Sequence, residues 1–341
     1  MSSHHVLIYL LLTSVAAWAD PRPQLALQER TNGTDLLKAV EPVLPGARAA
    51  AARITDAKGR HVASAVWVGS DGYFLTKASE TPELEKGRIE WGQDQHADIR
   101  EIHRLPALDL VLAQAVGVNG VTPARFDLAS SKPGYGQWLA SAVQGGREIR
   151  IGVISAQPRK IPGLGAAMGI RMGEQPAKGG VLITGIAEDS PAGAAGLREG
   201  DVLLMIQGQP ATDVKTVHDL IKKQQPGDQL EVQYRRKDRT AKARVRLASR
   251  TKIMMNWDGE DFANGGISIR TDNYASVLQH DLPLSPLDMG GALFDLAGKA
   301  LGINIARVDR VTTFALPASV FWKEIEPLIE ADRHPPKALR P

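Results

Sequence analysis

Short runs of apolar and β-branched residues, broken every few positions by Gly, Asp, Asn or Pro, fill most of the chain. That pattern predicts antiparallel strands joined by tight turns. Residues 49–55, 61–68 and 73–76 are three such runs, separated by turns at 56–59 and 70–72. Residues 180–184, 229–235 and 241–247 continue it, as do 292–294 and 301–305 around a turn at 295–299. Helical spacing is confined to three places. Leu36, Leu37, Val40 and Val43 share a face within 34–43, a helix is expected over about 213–223, and Val320, Phe321, Ile325 and Leu328 form a stripe within 318–330. The fold class read from this is mainly β, with short helices.

Composition narrows the picture only a little. The chain has 341 residues, 43% of them hydrophobic, enough for two or three domains with cores of their own. Its 41 basic and 38 acidic residues are interspersed and leave a net charge of +3, which does not argue for nucleic acid. There is no cysteine, so disulfides and thiol chemistry are excluded. Residues 6–18 form an apolar run, and Ala17-Trp18-Ala19 is a small-x-small cleavage pattern before Asp20. Residues 1–19 therefore read as a signal peptide and the chain as exported, to the bacterial periplasm or outside the cell. No other stretch suggests an integral membrane domain.

Five stretches carry a resemblance. The segment Ser64-Ala-Val-Trp-Val-Gly-Ser-Asp-Gly72-Tyr-Phe-Leu-Thr76-Lys-Ala-Ser79 resembles the strand pair that leads to the catalytic histidine in the HtrA/DegP family of trypsin-fold serine proteases. Asp109-Leu-Val-Leu resembles its aspartate segment. Tyr135-Gly-Gln-Trp138 and Gly152-Val-Ile-Ser155 resemble two strands of its second barrel. Leu287-Asp288-Met289-Gly290-Gly291 occupies the place of its nucleophile turn, Gly-Asn-Ser-Gly-Gly. The resemblance implies a trypsin-like double β-barrel. Between its parts stands Asp189-Ser-Pro-Ala192, Ala195-Gly-Leu197 and Gly200-Asp-Val-Leu203, which resembles a bacterial PDZ domain inserted in a loop of the second barrel. The expected division is a signal peptide (1–19), a flexible and helical segment (20–44), a first trypsin-like part (45–160), the PDZ domain (161–250), a second trypsin-like part (251–331) and a disordered tail (332–341).

The resemblance also locates what has changed. Ser79 stands for the histidine, Met289 for the nucleophile, and Leu287 and Asp288 replace the residues that shape the oxyanion turn, leaving Asp109 as the one matching triad residue. A thioether has no proton to give up and a serine is no base near neutral pH, so no enzyme activity is expected. Met289 is expected to plug the empty site. Two rebuilt arrangements stay open: Ser285 as nucleophile, or His103 paired with Asp109. No cofactor or metal is implied. The PDZ domain implies protein or peptide C-termini as partners. Backbone amides at Met168, Gly169 and Ile170 would hold the carboxylate, the peptide would pair beside Met172, and Val217, His218 and Ile221 would shape the pocket. Other readings are an active endopeptidase and an assembly protein with its groove closed. Trimers are usual in the family, but the N-terminal region lacks an obvious aromatic cluster, so a homotrimer is left open.

Overall fold

The computed structural model describes residues 26, 28, 33–129, 133–142, 149–173, 179–255 and 265–335. The expected signal peptide and residues 336–341 lie outside them. The chain divides into two units, residues 1–38 and 39–341, and helix α1 (Thr34–Val40) runs across the division. Helix α2 (Leu44–Ala50) follows, where a strand was expected to begin. Pro45 lies in its first turn, where the missing N–H leaves no helical bond unmade, and Ala47 and Ala50 are buried.

Six strands then close a barrel: β1 (Ala51–Thr55), β2 (His61–Trp67), β3 (Tyr73–Lys77), β4 (Arg88–Trp91), β5 (Gln95–Leu105) and β6 (Leu110–Ala115), in the order β1-β2-β3-β6-β5-β4. Every residue of β3 is buried because both its faces are covered. Phe74 points into the barrel with Trp67, Ile89 and Val111, while Tyr73 and Leu75 face the second barrel.

Strands β7 (Trp138–Ala142) and β8 (Ile149–Ile161) begin the second barrel, and the chain then leaves it. The excursion comprises β9 (Ala166–Ala167), β10 (Ile170–Met172), β11 (Val181–Ile186), α3 (Pro191–Ala194), β12 (Val202–Ile206), β13 (Gln209–Pro210), α4 (Val214–Lys222), β14 (Gln229–Arg236), β15 (Arg239–Arg246), β16 (Ala248–Ser249) and α5 (Arg250–Met255). Its main sheet runs β10-β11-β12-β14-β15, with β13 beside β12. It has its own core, including Ile183, Leu203, Val217, Leu230 and Val245. The entering strand β9 pairs with the leaving strand β16, Ala167 opposite Ala248, so a two-stranded neck joins it to the barrel.

The second barrel is completed by β17 (Tyr274–His280), β18 (Ala292–Asp295), β19 (Ala300–Asp309) and β20 (Thr312–Pro317), closing in the order β17-β20-β19-β18-β7-β8. Residues 266–271, Gly-Ile-Ser-Ile-Arg-Thr, have a strand-like composition and yet form no strand. Their backbone bonds go to different neighbours, Ser268 N–H to Arg307 O and Ser249 N–H to Ile269 O, so no single ladder develops. An apolar layer between the barrels includes Leu75, Leu112, Val277 and Ile303. Helix α6 (Ala318–Arg333) covers it with Phe321, Ile325 and Ile329, so the first residues of the expected tail belong to a helix.

Inside the second barrel, His280 is fully buried. Its Nδ1 accepts the Leu282 amide, so the neutral ring donates from Nε2 to Asn304 Oδ1 at 3.0 Å. Asn304 Nδ2 donates to Ser141 Oγ, and Ser141 donates to Ala292 O. Burial holds the imidazole down to about 4. A folded state that keeps this histidine neutral has its full stability above the unfolded value near 6.5. It loses stability as pH falls from there through 4, by about 3 kcal/mol in total. Urea unfolding between pH 8 and pH 4 is expected to show that loss, and a His280→Gln variant to show a flatter dependence. Equal slopes in the two proteins would refute the assignment.

Candidate functional site

Asp109 begins the site. It sits in the turn before β6 with φ of 58°, a left-handed conformation that Asp tolerates better than most residues. That turn aims its carboxylate inward, where it is 2% exposed. The Ser79 amide donates to Oδ1 at 2.7 Å and the Ser79 hydroxyl to Oδ2 at 2.9 Å. Tyr274 Oη donates to Oδ2 at 3.1 Å, and Lys77 Nζ lies 3.3 Å from the same oxygen. Lys77 is fully buried and also donates to Arg270 O, at 2.9 Å. Burial lowers its pKa, with Asp109 and Glu80 opposing the shift. The Tyr274 hydroxyl is raised well above its usual range by burial, with the Asp109 charge adding to the effect. Where an imidazole would stand, the carboxylate is therefore held by a serine, a tyrosine and an ammonium group.

The structure thus brings Ser79 and Asp109 together, and adds Lys77 and Tyr274, which sequence reasoning missed. A signal for Lys77 did exist: a lone charge closing the run Tyr73-Phe-Leu-Thr76 on an expected strand. His103 is exposed on β5 and is not among the hydrogen-bonding partners of Asp109.

Met289 lies elsewhere. Its side chain is fully buried in the interior of the second barrel with Leu139, Leu278, Leu293 and Leu301, rather than plugging the Ser79 site as expected. The preceding residues Pro286–Asp288 form a 3-10 turn. Its hydrogen bonds consume the local amides: Asp288 N–H donates to Ser285 O, Met289 N–H to Pro286 O, Gly290 N–H to Asn304 O and Gly291 N–H to Asp288 O. An oxyanion turn requires two convergent amides free to donate. Leu287 is partly exposed, its carbonyl accepting the Ser64 hydroxyl. Asp288 Oδ2 accepts both the amide and the hydroxyl of Ser285, at 2.6 and 2.8 Å, so the Ser285 hydroxyl faces a carboxylate and not a histidine. Gly290 has φ of 97°, and a Cβ there would collide with Ser64 O, so glycine is required by the close packing of this turn on β2.

The excursion closes over Ser79. Its 225–228 loop, which follows α4, carries Gly227 at φ of 98°, and a Cβ built there would lie 3.0 Å from Ser79 Cβ. Pro226 beside it is buried, and Gln225 Oε1 accepts Asn273 Nδ2. Ser79 is left 4% exposed, at the wall of a crevice of about 430 Å³ that also reaches Arg104, Asp228 and Arg270. At the other end of α4, the expected peptide groove has β10 as a sheet edge. Ile170 and Met172 are half-buried on that strand, and His218 is exposed on α4. The Val217 side chain, expected to shape the pocket, is 0% exposed and lies in the domain's core with Ile183 and Leu203; the side chain of Met168, whose backbone amide was the expected contact, lies in the same core at 1% exposure. Ile221 belongs to the same core at 9% exposure, and Gly169, between Met168 and β10, is buried.

Two substitutions test this geometry. Asp109→Ala would strand the Lys77 charge in a dry site, and urea unfolding should report a loss of about 3–5 kcal/mol. A loss below about 1 kcal/mol, typical of an exposed pair, would contradict it. Gly227→Ala places a side chain at positive φ against Ser79 and should cost about 1–2 kcal/mol.

Residues 166–247 match the PDZ domain family. A 60-residue stretch is 38% identical to a probable periplasmic serine endoprotease, DegP-like, from Pseudomonas fluorescens. It covers 16% of this chain and 13% of that protein, so the match spans about an eighth of the relative's length. Among solved structures, the HtrA-type protease AlgW with a decapeptide is 14% identical, with a TM-score of 0.30, over 62% of this chain and 98% of that one. The serine endoprotease from Yersinia pestis gives 14% and 0.30 over 62% and 97%. With two closed six-stranded barrels and a PDZ domain, residues 166–247, set between strands of the second, the chain has the mainly-β double-barrel fold that its motifs predict, with a PDZ domain inserted in it.

Proposed function

We propose that this protein is a non-catalytic member of its fold type that binds protein or peptide C-termini through its PDZ domain in the bacterial periplasm. The observation that carries the non-catalytic part is the Ser79 site itself. Ser79 is hydrogen-bonded to Asp109, its neighbours are an ammonium and a phenol, and the Gly227 turn packs on its Cβ. Hydrolysis by the serine-protease route needs a base beside a nucleophile and an approach for substrate. The binding part is supported by the edge position of β10, which can accept an added strand, with Ile170, Met172 and His218 flanking it. Apolar neighbours favour a peptide with an apolar C-terminal residue. No helix among the described residues is long and apolar enough to cross a membrane. The periplasmic placement rests on the N-terminal apolar run and on the local similarity to a protein described as periplasmic.

A second reading, an endopeptidase with a rebuilt site, draws on that same relative, which is described as a serine endoprotease. The two are separated by assaying purified protein against unfolded casein beside a Met289→Ser variant, and by measuring binding to a library of C-terminal peptides. The proposal expects peptide binding and no cleavage by either protein. A serine at 289 would lie in the second barrel's interior, and no imidazole replaces Ser79. Cleavage by the unmodified protein, lost in Ser285→Ala or His103→Ala, would establish the second reading.

A further inference from the structure

One carboxyl group holds both chains of the PDZ neck. Asp272, in the segment between α5 and β17, is 3% exposed. Its Oδ2 accepts the Leu164 amide at 3.0 Å, from the chain entering the domain. The same oxygen accepts the Thr251 hydroxyl at 3.3 Å, from the helix α5 that leaves it. Oδ1 is shut off from solvent and has no hydrogen-bond partner. The other ties of the neck are between neutral groups. Ser249 N–H donates to Ile269 O and Arg250 N–H to Gly165 O, and the Ser249 and Thr271 hydroxyls lie 2.8 Å apart.

The charged groups around Asp272 are turned to other partners. Arg270 is the cation that acts on the carboxyl, but its N–H groups go to the carbonyls of Pro106, Ala107, Asp272 and Asn273. Tyr274, on β17, shares its hydroxyl between Asp109 and Arg270 O. On α5, Lys252 donates to Ile267 O and Arg250 is exposed. On β8, Arg159 lies over the Phe314 ring and Lys160 is exposed. Glu80, from the first barrel, accepts the Ile269 amide. Two neutral donors and an Arg270 engaged elsewhere do not offset the burial of a full charge, and burial raises the Asp272 carboxyl above its ordinary value of 3.8. A neutral carboxyl avoids that cost and keeps its place, because the Thr251 hydroxyl can turn round and accept the carboxyl proton.

We propose that Asp272 is a proton-operated latch on the PDZ neck: with the carboxyl neutral, the entering and leaving chains are held closed on the second barrel, and with it ionised the neck opens more readily, because opening lets water reach the charge. The closed neck binds the proton more tightly than an open, solvated one, whose carboxyl has the ordinary value of 3.8. Closure is therefore most stable below 3.8 and is weakened as pH rises from there through the higher value of the closed state. This is opposite in direction to His280, whose burial weakens the fold as pH falls. A global unfolding curve mixes the two, so the neck has to be read locally. The latch does not depend on whether the groove binds C-termini.

The test is hydrogen exchange of the Leu164 amide in the purified protein between pH 4 and pH 8, corrected for the intrinsic pH dependence of exchange. Protection should fall as pH rises, by up to about tenfold per pH unit, the limit for one proton, and then level off. Asp272→Asn accepts the same two donors without titrating and should keep the protection level across the range. The carbon-13 resonance of the Asp272 carboxyl, read on the unmodified protein, should titrate with a midpoint above 3.8, so the proposal is tested even where the variant does not fold. Protection of Leu164 that does not change with pH, the same fall in Asp272→Asn, or a carboxyl midpoint at or below 3.8 would each overturn it.

Discussion

A carboxylate buried where the two barrels meet governs the arrangement of everything around it. Removing the Asp109 charge from water costs several kcal/mol, and that cost is offset only if its oxygens are fully engaged. The donors come from three places. Ser79 supplies an amide and a hydroxyl from beyond the end of β3, Lys77 an ammonium from that strand's last residue, and Tyr274 a phenol from the start of β17. Lys77 also donates to Arg270 O, which ties the first barrel to the segment leaving the PDZ neck, and the single proton of the Tyr274 hydroxyl lies between that carbonyl and Asp109. In a trypsin-type enzyme this carboxylate would orient a histidine that has to move protons. Here Asp109 instead holds a serine, a phenol and an ammonium group, each of them buried.

The strand framework was legible because both barrels are built on alternation. Phe74 and Leu75 are adjacent in sequence, yet one fills the first barrel and the other faces the second, as period-two geometry requires. The PDZ domain was legible through its turns: Ser190 caps α3 by accepting the Gly193 amide, and Asp213 caps α4 by accepting the Thr216 amide. What stayed hidden depends on tertiary partners. The run over 266–271 has β-like composition, but its backbone bonds are divided between the neck and β19. Val217 and Ile221 read equally well as groove or core, and only their packing in the domain's own core decides. Lys77 was passed over because burial of a lysine makes sense only once Asp109 is known to lie beside it. Met289 was placed correctly in the loop and wrongly in space, since a 3-10 turn rotates it into the second barrel.

The insertion itself changes what a PDZ domain can do to the barrels. A domain tethered at one end samples many orientations, and a weak contact with its neighbour competes against that freedom. Here both ends are tied, and β9 pairs with β16 directly at the neck, so most of the ordering cost has been met before the 225–228 loop reaches Ser79. A contact as small as Gly227 against Ser79, supported by Gln225 with Asn273, can then persist. Helix α4 joins that loop to the groove wall within nine residues, so the wall that faces an incoming strand and the turn that covers Ser79 are parts of one short rigid piece. Uncovering Ser79 therefore requires more than the rotation of a side chain. The backbone turn at Gly227 has to lift, and with it either the end of α4 or the whole domain on its neck, against the hydrogen bond from Asn273 to Gln225.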